Sequence, residues 1–300
     1  MIPEHVYMRK GKTMIARNLA SFAALAMATL SPTVASAQDA DGTIVVTGER
    51  EVDADEVHGQ ARAITPRGSI QGEPLARFQK PVCPGVWGLD RESAQFIVDR
   101  IYFNAERLGL PLDTRVGCRP NIIAMVVADP DAELEELLTT DHETVRGLSF
   151  WERKKLRQQT GPVRSWNLVS TRTSDGQERS GDPPVFESTM SSRLNSTRRL
   201  DMESSVVMID SAALEGKDGL ALADYITMRA LVRTAAPTED EASLRTILSL
   251  FDVDGGTAGE LTAFDQAYLR QIYSSRADMP AHMALRGIPG IVEKIIEGEE

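Results

Sequence analysis

From Asp90 onward the apolar positions fall into regular periods. Ala94, Ile97, Val98, Ile101, Ala105 and Leu108 recur at intervals of three and four, which lines one face of a helix. Asp90 can cap its start, and Gly109 can end it. Ile122 to Val127 is a short unbroken apolar run between Pro120 and Pro130, the length and composition of a buried strand. A second helix is expected from about Asp131 to Leu138. Ser149 with Glu152 forms a capping box that starts a third. Val163–Thr173 alternates as a strand turned by Asp175-Gly176, and Ser205 to Ile209 reads as another.

The remainder is mostly helical. Residues from about Asp218 to Arg233 are apolar around most of the helix circumference, which predicts a buried helix. Thr238 and Glu241 make a second capping box, with Leu244, Ile247, Leu248 and Phe251 on one face. Thr262 and Asp265 start a further helix. Strands and helices mix without regular βαβ alternation, so the expected class is α+β: a small mixed sheet packed with several helices.

The N-terminal third reads differently. Basic Arg9, Lys10, Lys12 and Arg17 precede an apolar stretch from Leu19 to Leu30, and Ala35-Ser36-Ala37 offers a small-residue cleavage site. That order predicts a signal peptide over 1–37, with Met1, Met8 or Met14 as the start and a periplasmic or secreted mature chain. The apolar stretch is too short to span a bilayer, and no membrane span is expected in the mature part. Residues 38–80 carry many carboxylates and little apolar periodicity, so they are expected to form an acidic flexible tail. A single globular domain is then expected over 81–278, and a C-terminal helical extension over 279–300. Within the tail, Thr43, Ile44, Val45, Val46 and Thr47 form a β-prone run that resembles the TonB box of outer-membrane receptors. The resemblance implies strand addition to a TonB-like domain. A disordered tail or a local edge strand is the plainer reading.

Composition narrows the function classes. The chain has 300 residues, 33 Lys+Arg against 44 Asp+Glu, and a net charge of -11, which excludes binding nucleic acid through phosphate contacts. Cys83 and Cys118 are the only two cysteines. In an oxidising compartment an even pair is expected to be a disulfide, with two buried thiols as the alternative. Charge is unevenly spread: Arg153, Lys154, Lys155, Arg157, Arg164, Arg172, Arg179, Arg193, Arg198 and Arg199 cluster within 149–200. Such a region suits an acidic envelope protein or an anionic envelope ligand, although pairing with the chain's own carboxylates is the simpler expectation. Trp151 and Trp166 in this region are expected to pack in the core.

Three kinds of motif bear on chemistry. The order of strand 205–209, buried helix 218–233, the run 246–251 and Leu261-Thr262-Ala263-Phe264-Asp265 opening a helix that reaches Leu269 and Tyr273 resembles the C-terminal half of matrixin-type zincin metallopeptidases. It is more similar still to exported bacterial zincin-like proteins in which the zinc motif is eroded. In a working zincin, His-Glu-x-x-His sets two imidazoles one turn apart around Zn²⁺, and the Glu activates the bound water. Laid on that motif, this chain reads Asp224, Tyr225 and Met228 at the ligand, base and ligand positions. A thioether and a phenol cannot rebuild the site. The resemblance therefore implies the fold without metal or cofactor, and Asp224 and Tyr225 are expected to be satisfied core groups rather than a remnant polar site. Asp252-Val253-Asp254-Gly255-Gly256 resembles the start of an EF-hand loop but lacks its later ligands: Thr257 stands at the Gly position and Ala263 at the closing Glu. No nucleophile elbow or P-loop occurs. The expected role is non-catalytic binding in the cell envelope, and the alternative is a zinc-independent hydrolase with a dispersed site.

Overall fold

The alternation of β3 (Ile122–Val127) puts Ile122 and Ala124 on one face of a sheet and Ile123, Met125 and Val127 on the other. Both faces are covered, as the unbroken apolar run requires. The computed structural model describes residues 53–66, 72–178, 196–235, 245–252 and 258–298. The signal segment, the cleavage site, Thr43–Thr47, Arg179, Arg193, Thr238, Glu241 and Leu244 lie outside them.

The sheet is mixed, and the fold class is α+β. Strand β5 (Arg198–Asp210) is its centre. On one edge it pairs in parallel with β3, Ile122 opposite Ser205 through Val127 opposite Asp210. Beyond that it pairs with the two-residue β1 (Arg77–Phe78). On its other edge it pairs antiparallel with β4 (Val163–Thr173). The short β2 (Pro84–Trp87) flanks β3 in parallel. Register slips between Leu168 and Val169, leaving Glu203 as an extra residue in β5. This bulge reverses which side faces the core: Leu200 and Met202 precede it on the same face as Val207 and Ile209 after it.

The connections follow the capping residues. Helix α1 (Ala54–Ile64) precedes the sheet, and α2 (Arg91–Arg107) joins β2 to β3 from an Asp90 cap. Helices α3 (Pro130–Thr139), α4 (Glu143–Arg146) and α5 (Phe150–Arg157) link β3 to β4. The capping box of Ser149 and Glu152 forms at α5 as its spacing predicts. After β5 come α6 (Gly219–Leu231), α7 (Ala263–Ser274), α8 (Ala281–Ala284) and α9 (Ile288–Glu297). One face of the sheet packs with α1, α2, α6, α7 and α9, and the other with α3, α4 and α5. The chain must pass β3 closely at residue 88, where φ is +85° and a Cβ would lie 1.9 Å from the Val126 carbonyl oxygen, so only glycine fits.

Cys83 and Cys118 form the expected disulfide, with Cα atoms 6.3 Å apart. It ties the segment entering β2 to the one entering β3. No helix of the described residues is long and apolar enough to cross a membrane.

Three expectations are corrected. The acidic tail does not extend to residue 80: α1 buries Val57, Ala61 and Ile64, spaced four and three apart, and β1 joins the sheet. A narrow apolar stripe inside a polar composition was enough, because neighbouring helix α9 supplies the rest of the apolar contact. Residues 281–297 are not an extension, since Ala281, Ala284, Leu285, Ile288 and Val292 are buried in the main core. The run 247–251, expected on an α-helix, is a 3-10 turn over Ile247–Ser249 capped by Thr246.

Candidate functional site

Helix α6 starts because the Asp218 carboxylate accepts from the Leu220 and Ala221 amides. It packs against both the sheet and α2, and all of Ala221 through Met228 is buried. The helix expected from the sequence to match a zincin's metal-binding helix is therefore enclosed over Ala221–Met228.

Asp224 has no exposed surface, yet its carboxylate is fully occupied. Arg100 donates from Nε to Oδ1 and from Nη2 to Oδ2, both at 2.7 Å, in the two-pronged geometry that suits guanidinium and carboxylate. Asn104 Nδ2 donates to Oδ1 at 2.7 Å, and the Leu261 amide donates to Oδ2 at 2.9 Å. Arg100 and Asn104 stand one turn apart on α2, so one helix face supplies three of the four donors. Hydrogen bonding to Asp224 pushes the Arg100 guanidinium above its ordinary value. A buried carboxylate is tolerated only when paired in this way.

Tyr225 and Met228, the other two positions that the sequence resemblance singled out, are also used structurally. Tyr225 is buried and meets the Phe251 ring edge-on, with centroids 4.9 Å apart, and burial pushes its phenol up. Met228 is fully buried among the core aliphatics. The structure thus places the three residues on one helix but directs them to different neighbours. Of the histidines, His58 lies on α1, His142 caps α4 with Nδ1 3.0 Å from Thr144 Oγ1, and His282 lies on α8. Among the described residues no group of three or more His, Cys, Asp or Glu side chains could hold a metal ion.

A second buried carboxylate repeats the pattern. Asp265 accepts from Thr246 Oγ1 at 2.6 Å, from the Ile247 amide at 2.8 Å, and from the Thr262 amide and hydroxyl at 3.0 and 2.9 Å. Burial pushes its carboxyl up, opposed by these four donors. It fastens the 246–247 turn to the start of α7. Asp224 and Asp265 therefore each secure one side of the 258–262 approach to α7.

Above the Arg100–Asp224 pair, between α2 and α7, lies a small cleft of about 120 Å³. Arg100, Phe103, Arg107, Glu260, Gln266 and Arg270 are among its lining residues, and Arg100, already held by Asp224, also lies 3.7 Å from Glu260. The Arg100 guanidinium also lies 5.1 Å from the centre of the Phe103 ring. The volume suits a carboxylate- or phosphate-sized group or a few waters. Sequence reasoning missed this cleft. Its arginines occupy polar positions of two helices far apart in the chain, and no local spacing signals that they converge.

The basic region is largely self-neutralised. Arg153 pairs with Asp141 at 2.6 Å, Arg157 with Glu135 at 2.7 Å, Arg164 with Asp131 at 2.7 Å and Arg198 with Glu73 at 3.3 Å. Arg172 reaches both Glu178 and Glu203 at 3.1 Å. Arg199 Nε lies 2.9 Å from Asp201 Oδ1 without aiming its N–H there, so the hydrogen bond of that pair runs through Nη2 to Oδ2 at 3.0 Å. At the bulge, burial works to raise the Glu203 carboxyl, but hydrogen bonds from Lys80, Ser170 and Arg172 hold it down to about 2. Trp166 is buried as expected, its Nε1 donating to the Thr144 carbonyl at 2.7 Å. Trp151 is corrected: it is 66% exposed, because α5 turns only Leu156 fully inward.

The class that these observations define is an α+β protein with one disulfide, a mixed sheet covered on both faces, and a buried carboxylate hub at Asp224. The chain matches no protein-family model, no curated protein and no solved structure.

Proposed function

We propose that this is an exported envelope protein that acts by binding, a zincin-like domain whose former catalytic positions have become structural. One observation carries the reading: Asp224, at a would-be ligand position, spends both oxygens on four donors inside the core. Binding a metal there would require stripping away Arg100, which would leave a partly buried guanidinium unpaired. The disulfide supports export, since such bonds persist in oxidising compartments.

The test is direct. Protein purified from an exporting host should contain far less than one equivalent of zinc by elemental analysis, and should leave a broad panel of peptides and esters uncleaved. Stoichiometric zinc would overturn the pseudo-zincin reading. Turnover of any panel member that survives removal of metal would instead favour the dispersed-site hydrolase.

A further inference from the structure

Helix α5 carries a surface feature that the binding fold does not need. At about 100° per residue, Phe150, Lys154, Trp151 and Lys155 fall within an arc of about 140°, and Leu156 lies on the opposite side. The burial follows this division. Phe150 is 73% exposed and Trp151 66% exposed, while Leu156 is buried in the core under α5. Single exposed apolar residues are ordinary, but two adjacent aromatic rings on the solvent side of one helical turn are not.

The turn that presents them is held firmly. Ser149 Oγ accepts from the Glu152 amide at 3.3 Å, and the Glu152 carboxylate accepts from the Ser149 amide at 2.9 Å. Phe150 and Trp151 pack edge to face at 5.4 Å, and Lys154 lies 5.7 Å from the centre of the Trp151 ring. Charge on the helix divides in the same way. The flanking Arg153 and Arg157 are taken by Asp141 and Glu135, and Glu152 by the capping box. Lys154 and Lys155 pair with no carboxylate among the described residues. Acidic groups of the segment before α5 are themselves engaged: Asp141 with Arg146 and Arg153, Glu143 with Arg119.

We propose that the outward face of α5, formed by Phe150, Trp151, Lys154 and Lys155, docks the protein on an anionic lipid surface. Aromatic rings beside lysines match the boundary between headgroups and acyl chains, where rings settle and flexible ammonium groups meet lipid phosphates. The composition is less suited to a protein partner, because lysine is depleted at protein interfaces while arginine is enriched, and here the arginines are already paired. A chain of net charge -11 would be repelled by an anionic membrane unless one face presented unpaired cations. The proposal is independent of the reading of α6 and survives if that reading fails.

The test compares full-length wild type, F150A/W151A and K154Q/K155Q for sedimentation with vesicles of equal phosphatidylglycerol and phosphatidylcholine, and with phosphatidylcholine alone. Any contribution of residues 1–52 is common to all three proteins. Circular dichroism checks that the variants fold, which exposed positions should allow. Wild type should bind the anionic vesicles and bind neutral ones weakly. K154Q/K155Q should lose about thirty-fold in partition, from two lysines near the surface, and F150A/W151A at least about tenfold. Brominated lipids should quench wild-type fluorescence more than that of W151F, which retains Trp87 and Trp166. Variants that bind like wild type, wild type that binds no vesicles, or quenching unchanged in W151F would each overturn the proposal.

Discussion

Helices α6 and α5 use polar side chains in opposite ways. On α6 Asp224 and Thr227 face inward with their hydrogen bonds made: Asp224 meets four donors, and Thr227 donates to the Ala223 carbonyl and accepts from Asn104. On α5 the apolar rings face outward and two cations are unpaired. The first arrangement withdraws a carboxylate from chemistry: it is absorbed into hydrogen bonds that the core then depends on. The second marks where chemistry remains available to a partner. Reactive-looking residue types at a familiar spacing are thus a poor guide to the working surface, and the saturation of each group is a better one.

Breaking the α6 side of this contrast should have the largest effect. Asp224→Ala removes the acceptor for Arg100, Asn104 and the Leu261 amide together. It should cost about 3–5 kcal/mol, as expected when one partner of a buried pair is lost. The measurement is the urea midpoint at unchanged slope, and a loss under about 1 kcal/mol would show that the hub is dispensable. Removing the disulfide with C83S/C118S should come next, at about 2–4 kcal/mol for a 35-residue separation. Thiol titration of the denatured, unreduced protein should find no free cysteine, and two titratable thiols would refute the bond.

The sheet's charged bulge should give a smaller, pH-dependent effect. Glu203 is held at about 2 against an ordinary 4.5, so the stability it contributes is present above pH 4.5 and lost as pH falls toward 2. Its side chain retains 29% of its exposure, which screens the interaction to on the order of 1 kcal/mol. Stability plotted against pH should be flatter for E203Q than for wild type across that acid window, and an unchanged pH dependence would place the titration elsewhere. The smallest effect belongs to the flank of α5. Glu135 and Arg157 are about half exposed, so E135Q should leave the urea midpoint close to that of wild type, and any difference should fade in 1 M salt. A larger, salt-insensitive loss would mean that this flank carries more of the fold than its exposure suggests.

Local rules were legible in the chain. Asp90, Ser149, Asp218 and Thr262 begin the helices their side chains can cap, and the capping boxes at Ser149–Glu152 and Thr262–Asp265 both form, because the interactions span three residues and need no distant partner. The strand at 122–127 and the buried helix after Asp218 follow from apolar runs whose length and period have few other uses. The α+β class follows from the order of these elements. The disulfide follows from there being two cysteines to join.

Tertiary structure decided the rest, since each outcome depends on groups brought together across the chain. Val57, Ala61 and Ile64 make a stripe too narrow to fold alone, and α9, more than two hundred residues away, makes it a helix of the core. The bulge at Glu203 exists only in the register between β4 and β5. Asp224 could have been a remnant ligand or a core anchor by sequence. Arg100 and Asn104 fix it as an anchor, because a carboxylate removed from water is stable only where donors replace the water it lost. The same sequence that predicts helix α5 leaves open which side of it is buried. The packing of Leu156 under the helix decides that, and so turns Phe150, Trp151 and the two lysines to the outside.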